Sequence, residues 1–330
     1  MKTFVTGATG FTGSHLVRQL LEQGHSVKAL VRPNSNNKTR LSGLDIEFVE
    51  GDLTDLELLR SHLADIDWVF HTAAFVELGL VDDALMDRTN VDGTRTILEA
   101  AKSANLSKFV YCSTIGVYGD TQGQTIDETF QRTQKNFSSA YDRTKYTAQQ
   151  LVNRAADQGL AAVSVMPSGI FGPDDPHFGP VIDNFIKGKL TVWAGGDRIT
   201  GIVHVDDLVD AMIRAAEKSP PGEHYIISAG DLTTREMFAI LGDAAGVAPP
   251  REIPPPVVRL SGNVLDVIGR LTGWNPPLSR ERVHYIYERC VRVDGSKAKH
   301  RLSWQPRSVE QTLREIVAQK LSQSAFNPES

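Results

Sequence analysis

Three glycines at three-residue spacing, Gly7, Gly10 and Gly13, close the short apolar run Thr3 to Thr6 and open a helical pattern that continues from Ser14 to Gln23. Strand, glycine turn and helix in immediate succession leave few foldings open. A backbone without Cβ atoms can approach a polyphosphate closely, and the N–H groups that begin the helix hold a fixed partial positive charge toward it. The segment Gly7-Ala8-Thr9-Gly10-Phe11-Thr12-Gly13 is therefore a candidate dinucleotide cradle.

The chain repeats this alternation. Apolar runs at Ser26 to Val31, Ile46 to Glu50, Trp68 to His71, Lys108 to Cys112 and Ala162 to Met166 are separated mostly by helical patterns. That order predicts an α/β chain with a Rossmann doubly wound parallel sheet and helices on both faces, its ligand lying beyond the C-terminal strand ends. After Pro167, Gly and Pro clusters break the chain into shorter elements. The expected division is a nucleotide-binding domain over 1–166 and a smaller lobe over 167–330, mainly substrate-binding, with some segments returning to the Rossmann core.

About 20 residues past the glycines, dinucleotide sites usually place an acid for the adenosine 2′-hydroxyl. Arg32 stands there, with Ser35, Lys38 and Arg40 near it. A guanidinium can hold a 2′-phosphate that a carboxylate would repel, so NADP is expected over NAD. In Glu50-Gly51-Asp52-Leu53, Asp52 has the place to accept from the adenine amine, or to cap the next helix.

Chemistry is expected where Tyr141 and Lys145 share one helix face four residues apart. A phenol titrates near 10, too high for acid–base work, and a neighbouring ammonium would draw it down. Thr114, with Ser113 as the alternative, closes the fifth strand and could hydrogen-bond a carbonyl oxygen held against Tyr141.

With these residues assembled, the chain resembles the extended short-chain dehydrogenase/reductase superfamily along nearly its whole length, within it the dihydroflavonol-reductase-like and hopanoid-associated epimerase-like branch. The glycine turn and Arg32 carry the resemblance together with His71-Thr72-Ala73-Ala74, Asn90-Val91-Asp92-Gly93-Thr94, Ser113-Thr114, Tyr141 with Lys145, Pro167-Ser168-Gly169-Ile170 and His204-Val205-Asp206-Asp207. It implies Tyr141 as the acid that protonates a substrate oxygen and Lys145 as the cation that lowers its pKa and holds the nicotinamide ribose. Thr114 would orient the carbonyl. Ala73 and Ala74 would line the cofactor groove, Ser168, Gly169 and Ile170 would cover the nicotinamide, Pro167 would also bind the cofactor, and Asn90 would be a structural or relay residue nearby.

Two departures narrow the reaction. Where 4,6-dehydratases of the family carry Asp and Glu, this chain has Ile115 and Gly116, which transfer no protons. Where its epimerases place an arginine on a diphosphate, Thr200 stands, with Arg198 two residues off. An NADPH-dependent reduction of an uncharged, moderately apolar ketone or aldehyde is the leading expectation. Alternatives are an NAD(P)-dependent sugar or nucleotide-sugar epimerase and a non-catalytic NADP(H)-binding regulatory protein. The pocket should come from Phe75 to Leu80, Phe171 to Phe185 and Pro249 to Val258; Phe75, Leu78, Phe178 and Trp193 are candidates to line it, and His177 reads as a solvated loop residue.

The 330 residues include 41% hydrophobic and 23% charged side chains with a net charge of -5, which offers no basic surface for nucleic acid. Two cysteines, Cys112 and Cys290, suit a reducing cytoplasm. No metal-ligand spacing occurs, no apolar run is long enough to span a membrane, and a homodimer is expected only by resemblance. The helical pattern Val257 to Leu271 is apolar enough to lie on a membrane, but Arg259, Asp266 and Arg270 within it argue for a core-facing or lid helix.

Overall fold

A computed structural model describes residues 1–33 and 35–326. Seven parallel strands form the central sheet: β1 (Lys2–Thr6), β2 (Ser26–Val31), β3 (Glu47–Glu50), β4 (Trp68–His71), β5 (Lys108–Cys112), β6 (Ala162–Pro167) and β7 (His224–Ile227). Their spatial order, 3-2-1-4-5-6-7, reverses direction of growth beside β1. A crevice at such a switch point is where doubly wound sheets bind ligands. The six strands of the first half lie where the sequence places them. β7 comes from the second half, a run too short for pattern alone to assign, and pairs in register with β6 from His224↔Ser164 to Ile227↔Pro167.

Parallel strands must be covered on both faces, which explains their unbroken apolar character. Val5, Val31, Phe70, Val110 and Val165 pack on one face with Leu16, Val17 and Leu20 of helix Phe11–Glu22 and Leu208 and Met212 of helix Val205–Lys218. Phe4, Val69, Phe109 and Tyr111 face the other way, onto Ile97, Leu98 and Val152. A separate cluster of Phe171, Phe185, Trp193, Phe238 and Leu313 is the core of the smaller lobe. That lobe is built around a three-stranded sheet of Gly169–Phe171, Ile199–His204 and Gly230–Thr233.

The joint between the lobes runs through His204-Val205-Asp206-Asp207. His204 caps helix Val205–Lys218, Asp206 accepts from His15 at 2.7 Å, and Asp207 pairs with Arg307 at 3.2 Å. Burial and Arg307 bring the His204 ring down to about 4, so it is neutral in this lock.

Helix Pro255–Thr272 departs from expectation. Val258, Gly262, Asp266 and Gly269 face the protein, and the larger apolar side chains point outward. Small residues let the helix sit close to its neighbours, which hides its acid and leaves its apolar stripe uncovered.

Candidate active site

The glycine turn is fixed by sterics that involve only backbone. Gly7 adopts φ +72°, and a Cβ there would stand 2.6 Å from the Ala73 nitrogen; a Cβ at Gly13 would lie 2.1 Å from the Gly7 carbonyl oxygen. Helix Phe11–Glu22 starts after Gly10 with no side-chain cap. Its first N–H groups are therefore available to a ligand.

Next to the turn, β4 ends in a buried polar relay. His71 Nδ1 lies 2.7 Å from Thr6 Oγ1 and its Nε2 2.9 Å from Thr94 Oγ1, while burial lowers the ring to about 3 and keeps it neutral. Thr94 in turn donates to the Asn90 carbonyl at 2.6 Å. Asn90 sits in the widened π turn Arg88–Asp92; its amide clamps both backbone groups of Phe75, at 2.7 and 3.0 Å, and donates to Thr144 on the tyrosine helix. One asparagine thus ties the loop after β4 to the helix that carries Tyr141.

That helix, Ala140–Asp157, is started by Ser139, whose Oγ accepts the Asp142 N–H at 3.0 Å. The cap orients Tyr141 toward the C-terminal end of β5. There Thr114 Oγ1 accepts the Gly116 N–H at 3.1 Å, which leaves its own proton to donate, and the buried Ser113 hydroxyl has no partner among the described residues.

The electrostatics differ from the expected pair. Burial pushes the Tyr141 phenol well above its ordinary value and the Asp142 carboxylate adds to the rise; the Thr114 hydroxyl and Arg289 pull it back. Lys145 is not the governing cation. Its Nζ donates to the Cys112 carbonyl at 2.7 Å and lies 4.4 Å over the Tyr111 ring, and burial brings it down to about 8.

Sequence reasoning missed the network behind the phenol. Tyr285 donates to Asp142 Oδ2 at 2.6 Å and lies 2.8 Å from Ser139; Arg289 reaches the same carboxylate at 3.2 Å and lies 4.5 Å from the Tyr285 ring. A Cβ at Gly116 would stand 2.6 Å from Asp142 Oδ1, so a larger residue there would have to displace that carboxylate. The aspartate inside Tyr141-Asp142-Arg143 was a signal, but its partners lie more than 140 residues away.

A cavity of about 770 Å³ joins these parts. Gly7, Gly10, Phe11, Thr12, Gly13, Thr72 and Ala74 form one end; Ser113, Thr114, Tyr141 and Lys145 meet in the middle with Pro167, Ser168, Gly169 and Ile170. The far end is mostly apolar, with Phe178, Trp193, Met237, Phe238 and Ile286. Thr9, Ala73, Arg32, Asp52 and Leu53 do not line it. Arg32 is exposed at the end of β2 and acts on Asp52, which accepts from Thr54 at 2.9 Å, ends an exposed turn and lies 3.5 Å from Arg88; Leu53 packs over Gly93.

The pocket segments sort differently from expectation. Phe75 and Leu78 are outside the lining and Val76 is in it; His177 and Phe178 line it, His177 from an exposed position. Nothing from Pro249 to Val258 contributes: Arg251–Glu252 pairs with Val192–Trp193, and the latter strand takes the wall. Arg198 lines the cavity too, and its guanidinium makes no hydrogen bond or ion pair among the described residues; burial and nearby Arg289 lower its pKa.

Fold and site together define a nucleotide-dependent enzyme. The chain belongs to the NAD dependent epimerase/dehydratase family, whose model matches residues 3–228, and so to the extended short-chain dehydrogenase/reductase superfamily, enzymes that act on CH–OH or carbonyl groups. It is 32% identical over 317 residues to a 4-hydroxy-2-methyl-3-oxo-4-farnesyl-3,4-dihydroquinoline-1-oxide ketoreductase of Stigmatella aurantiaca, covering 94% of each chain. A UDP-glucose 4-epimerase of Mycolicibacterium smegmatis is 31% identical, with 93% of this chain and 94% of that one covered. Among solved structures, that of gox2253 superimposes with a TM-score of 0.83 at 31% identity, over 97% of this chain and 98% of the other.

Proposed function

We propose that the protein is an NADPH-dependent reductase that converts a ketone or aldehyde with an apolar body to an alcohol. The observation that carries the reading is the convergence of Tyr141, Thr114 and Ser113 between a glycine-built dinucleotide cradle and an apolar chamber within one cavity. The turn fits a pyrophosphate because its crowding is backbone against backbone, and Arg32, exposed at the end of β2, would take a 2′-phosphate.

A nicotinamide held along this wall supplies hydride to a carbonyl carbon. The chain's residues do the rest. Thr114 and Ser113 donate to the carbonyl oxygen and fix its position. Tyr141, kept protonated by burial, donates to the same oxygen and gives up its proton as the C–O bond becomes single. Negative charge left on the phenol is met by Lys145 and Arg289.

A sugar or nucleotide-sugar epimerase is the second reading, supported by the mycobacterial relative and by the unpaired Arg198, which could grip a phosphate. Cofactor consumption separates them. Incubation with NADPH and a panel of apolar ketones and aldehydes should oxidise NADPH in proportion to alcohol formed; isomerisation of UDP-glucose with no net consumption would overturn the reductase reading. Arg32→Asp should lower the preference for NADPH over NADH by about tenfold or more, the loss of a charged hydrogen bond. Unchanged preference would remove Arg32 from the cofactor site.

A further inference from the structure

The proposed reduction leaves one charge in the cavity without a role. Arg198 lies between the turn Gly195-Gly196-Asp197 and the strand Ile199–His204. Its backbone is held on both sides: the N–H donates to the Gly195 carbonyl at 3.1 Å, and the carbonyl accepts from the Thr234 N–H at 2.9 Å and the Thr234 hydroxyl at 3.3 Å. The side chain is partly buried and lines the chamber. A Cβ at Gly195 would stand 2.4 Å from the Ile286 side chain and 3.6 Å from the Arg198 Cβ, which puts the arginine beside the apolar wall.

The acids on the neighbouring segments are engaged elsewhere. Asp197 and Glu252 each pair with Arg235 at 3.1 Å, and Asp142 is held by Arg289 at 3.2 Å and by Tyr285 at 2.6 Å. Asp175, the acid in the cavity lining, accepts the His177 and Phe178 N–H groups at 2.8 and 3.1 Å. Arg198 itself makes no hydrogen bond or ion pair among the described residues, and burial together with nearby Arg289 lowers its pKa. A guanidinium stays charged even so. A covered cation with a like charge beside it and no counter-ion is unfavourable until a ligand brings the anion.

We propose that Arg198 is the anion subsite of the substrate chamber and takes the carboxylate of an apolar oxo acid. Its planar fork matches a carboxylate with two parallel hydrogen bonds. Phe178, Trp193, Met237 and Phe238 in the same chamber suit a hydrocarbon body and give no hydrogen bonds to sugar hydroxyls. A single carboxylate also suits the charge at hand better than a diphosphate does. Arg289 is committed to Asp142 and is absent from the lining, and Lys145 donates to the Cys112 carbonyl at 2.7 Å. Arg198 is thus the one cation of the lining left to meet a substrate charge, among the described residues, apart from the exposed His177. That the carboxylate and the reduced carbonyl belong to one molecule rests on the reductase reading; the anion subsite does not.

The test is equilibrium dialysis of the full chain, with NADPH present, against octanoate and against octanamide, which has the same carbon chain without the charge. The wild type should bind octanoate about ten- to a hundredfold more tightly, the worth of a charged hydrogen bond. Arg198→Met should abolish that preference and leave octanamide binding as it was, while Arg198→Lys, which keeps the charge and loses the fork, should retain part of it. Thermal unfolding of Arg198→Met at or above the wild-type temperature would show that its fold is intact. A wild type that binds the two probes alike overturns the proposal, and so does an Arg198→Met variant that still prefers octanoate. UDP-glucose that displaces octanoate from the wild type, and binds the Arg198→Met variant at least about tenfold more weakly, would give the guanidinium to a diphosphate and overturn it as well. NADPH oxidation is the separate measurement: KM for 7-oxooctanoate should lie about ten- to a hundredfold below that for 2-octanone in the wild type, and Arg198→Met should bring the two together. Oxidation with neither compound would count against the reductase reading, with the subsite still decided by dialysis.

Discussion

The two ends of the cavity are built on opposite principles. At the cofactor end the walls are backbone: three glycines, a bare helix start, and a strand end fixed by the His71 relay. At the substrate end the walls are large side chains drawn from several separate segments, with one guanidinium that has no partner among the described residues. The crowding at the glycine turn is backbone against backbone and no rotamer change relieves it, while the second end is shaped by side chains that substitution alters. A fold of this kind keeps its redox chemistry constant and lets its substrate vary.

The seam between the ends should show the largest effect. Tyr141→Phe should lower kcat by about a thousandfold, the upper part of what a positioned acid contributes, with NADPH affinity measured by fluorescence within about twofold of wild type. Retained turnover would mean that the proton comes from elsewhere, and the contrast between the ends would lose its meeting point.

At the unpaired cation, Arg198→Met should raise KM for a substrate with an anionic or strongly accepting oxygen by about ten- to a hundredfold, the worth of a charged hydrogen bond, with kcat nearly unchanged. An equal loss in kcat would place Arg198 among the groups that act on the reacting atoms. The rigid end should be less forgiving of a much smaller change. Gly13→Ala puts a methyl 2.1 Å from a backbone oxygen, and overpacking of about 1–3 kcal/mol predicts a loss of NADPH affinity of about tenfold. Unchanged affinity would show that the cradle can yield, contrary to the comparison.

The remaining effect is on stability and has the opposite sign. Lys145 is buried and lowered from 10.5 to about 8, a cost of roughly 3 kcal/mol at about 1.4 kcal/mol for each tenfold. Below pH 8 the side chain is charged in both folded and unfolded chains and the cost is fully present; it fades as pH rises from 8 to 10.5, where the unfolded chain binds more protons. Lys145→Met should therefore raise the unfolding free energy near pH 7 in a denaturant titration, and the gap should narrow in alkali, while turnover collapses. Wild-type turnover should also fall as pH passes about 8 and the ammonium is lost. A variant that is less stable at pH 7 would show that the carbonyl of Cys112 and the ring of Tyr111 fully offset the burial.

Legibility follows the same divide. The glycine turn, six strands, Tyr141 with Lys145, and the hydroxyls of Ser113 and Thr114 could be read from the chain because each depends on spacing within one segment. The Asp142–Tyr285–Arg289 network could not, since its members meet only when the second lobe folds over the tyrosine helix. For the same reason Arg289, and not Lys145, proves to be the cation acting most on the phenol. The apolar helix was visible as a pattern and was expected to face the core or act as a lid; the protein turns Val258, Asp266 and two glycines inward and leaves most of its apolar side chains exposed.

What the sequence alone determined is local. Helix and strand periods, a turn that only glycine can make and a four-residue step along one helix are properties of neighbouring residues, and they set the sheet and the place of the chemistry. Tertiary structure decided which charges act on the phenol, which side chains wall the chamber, and which face of helix Pro255–Thr272 is left to the outside. Those depend on distances between segments far apart in the chain, and on burial, which no residue has until its neighbours arrive.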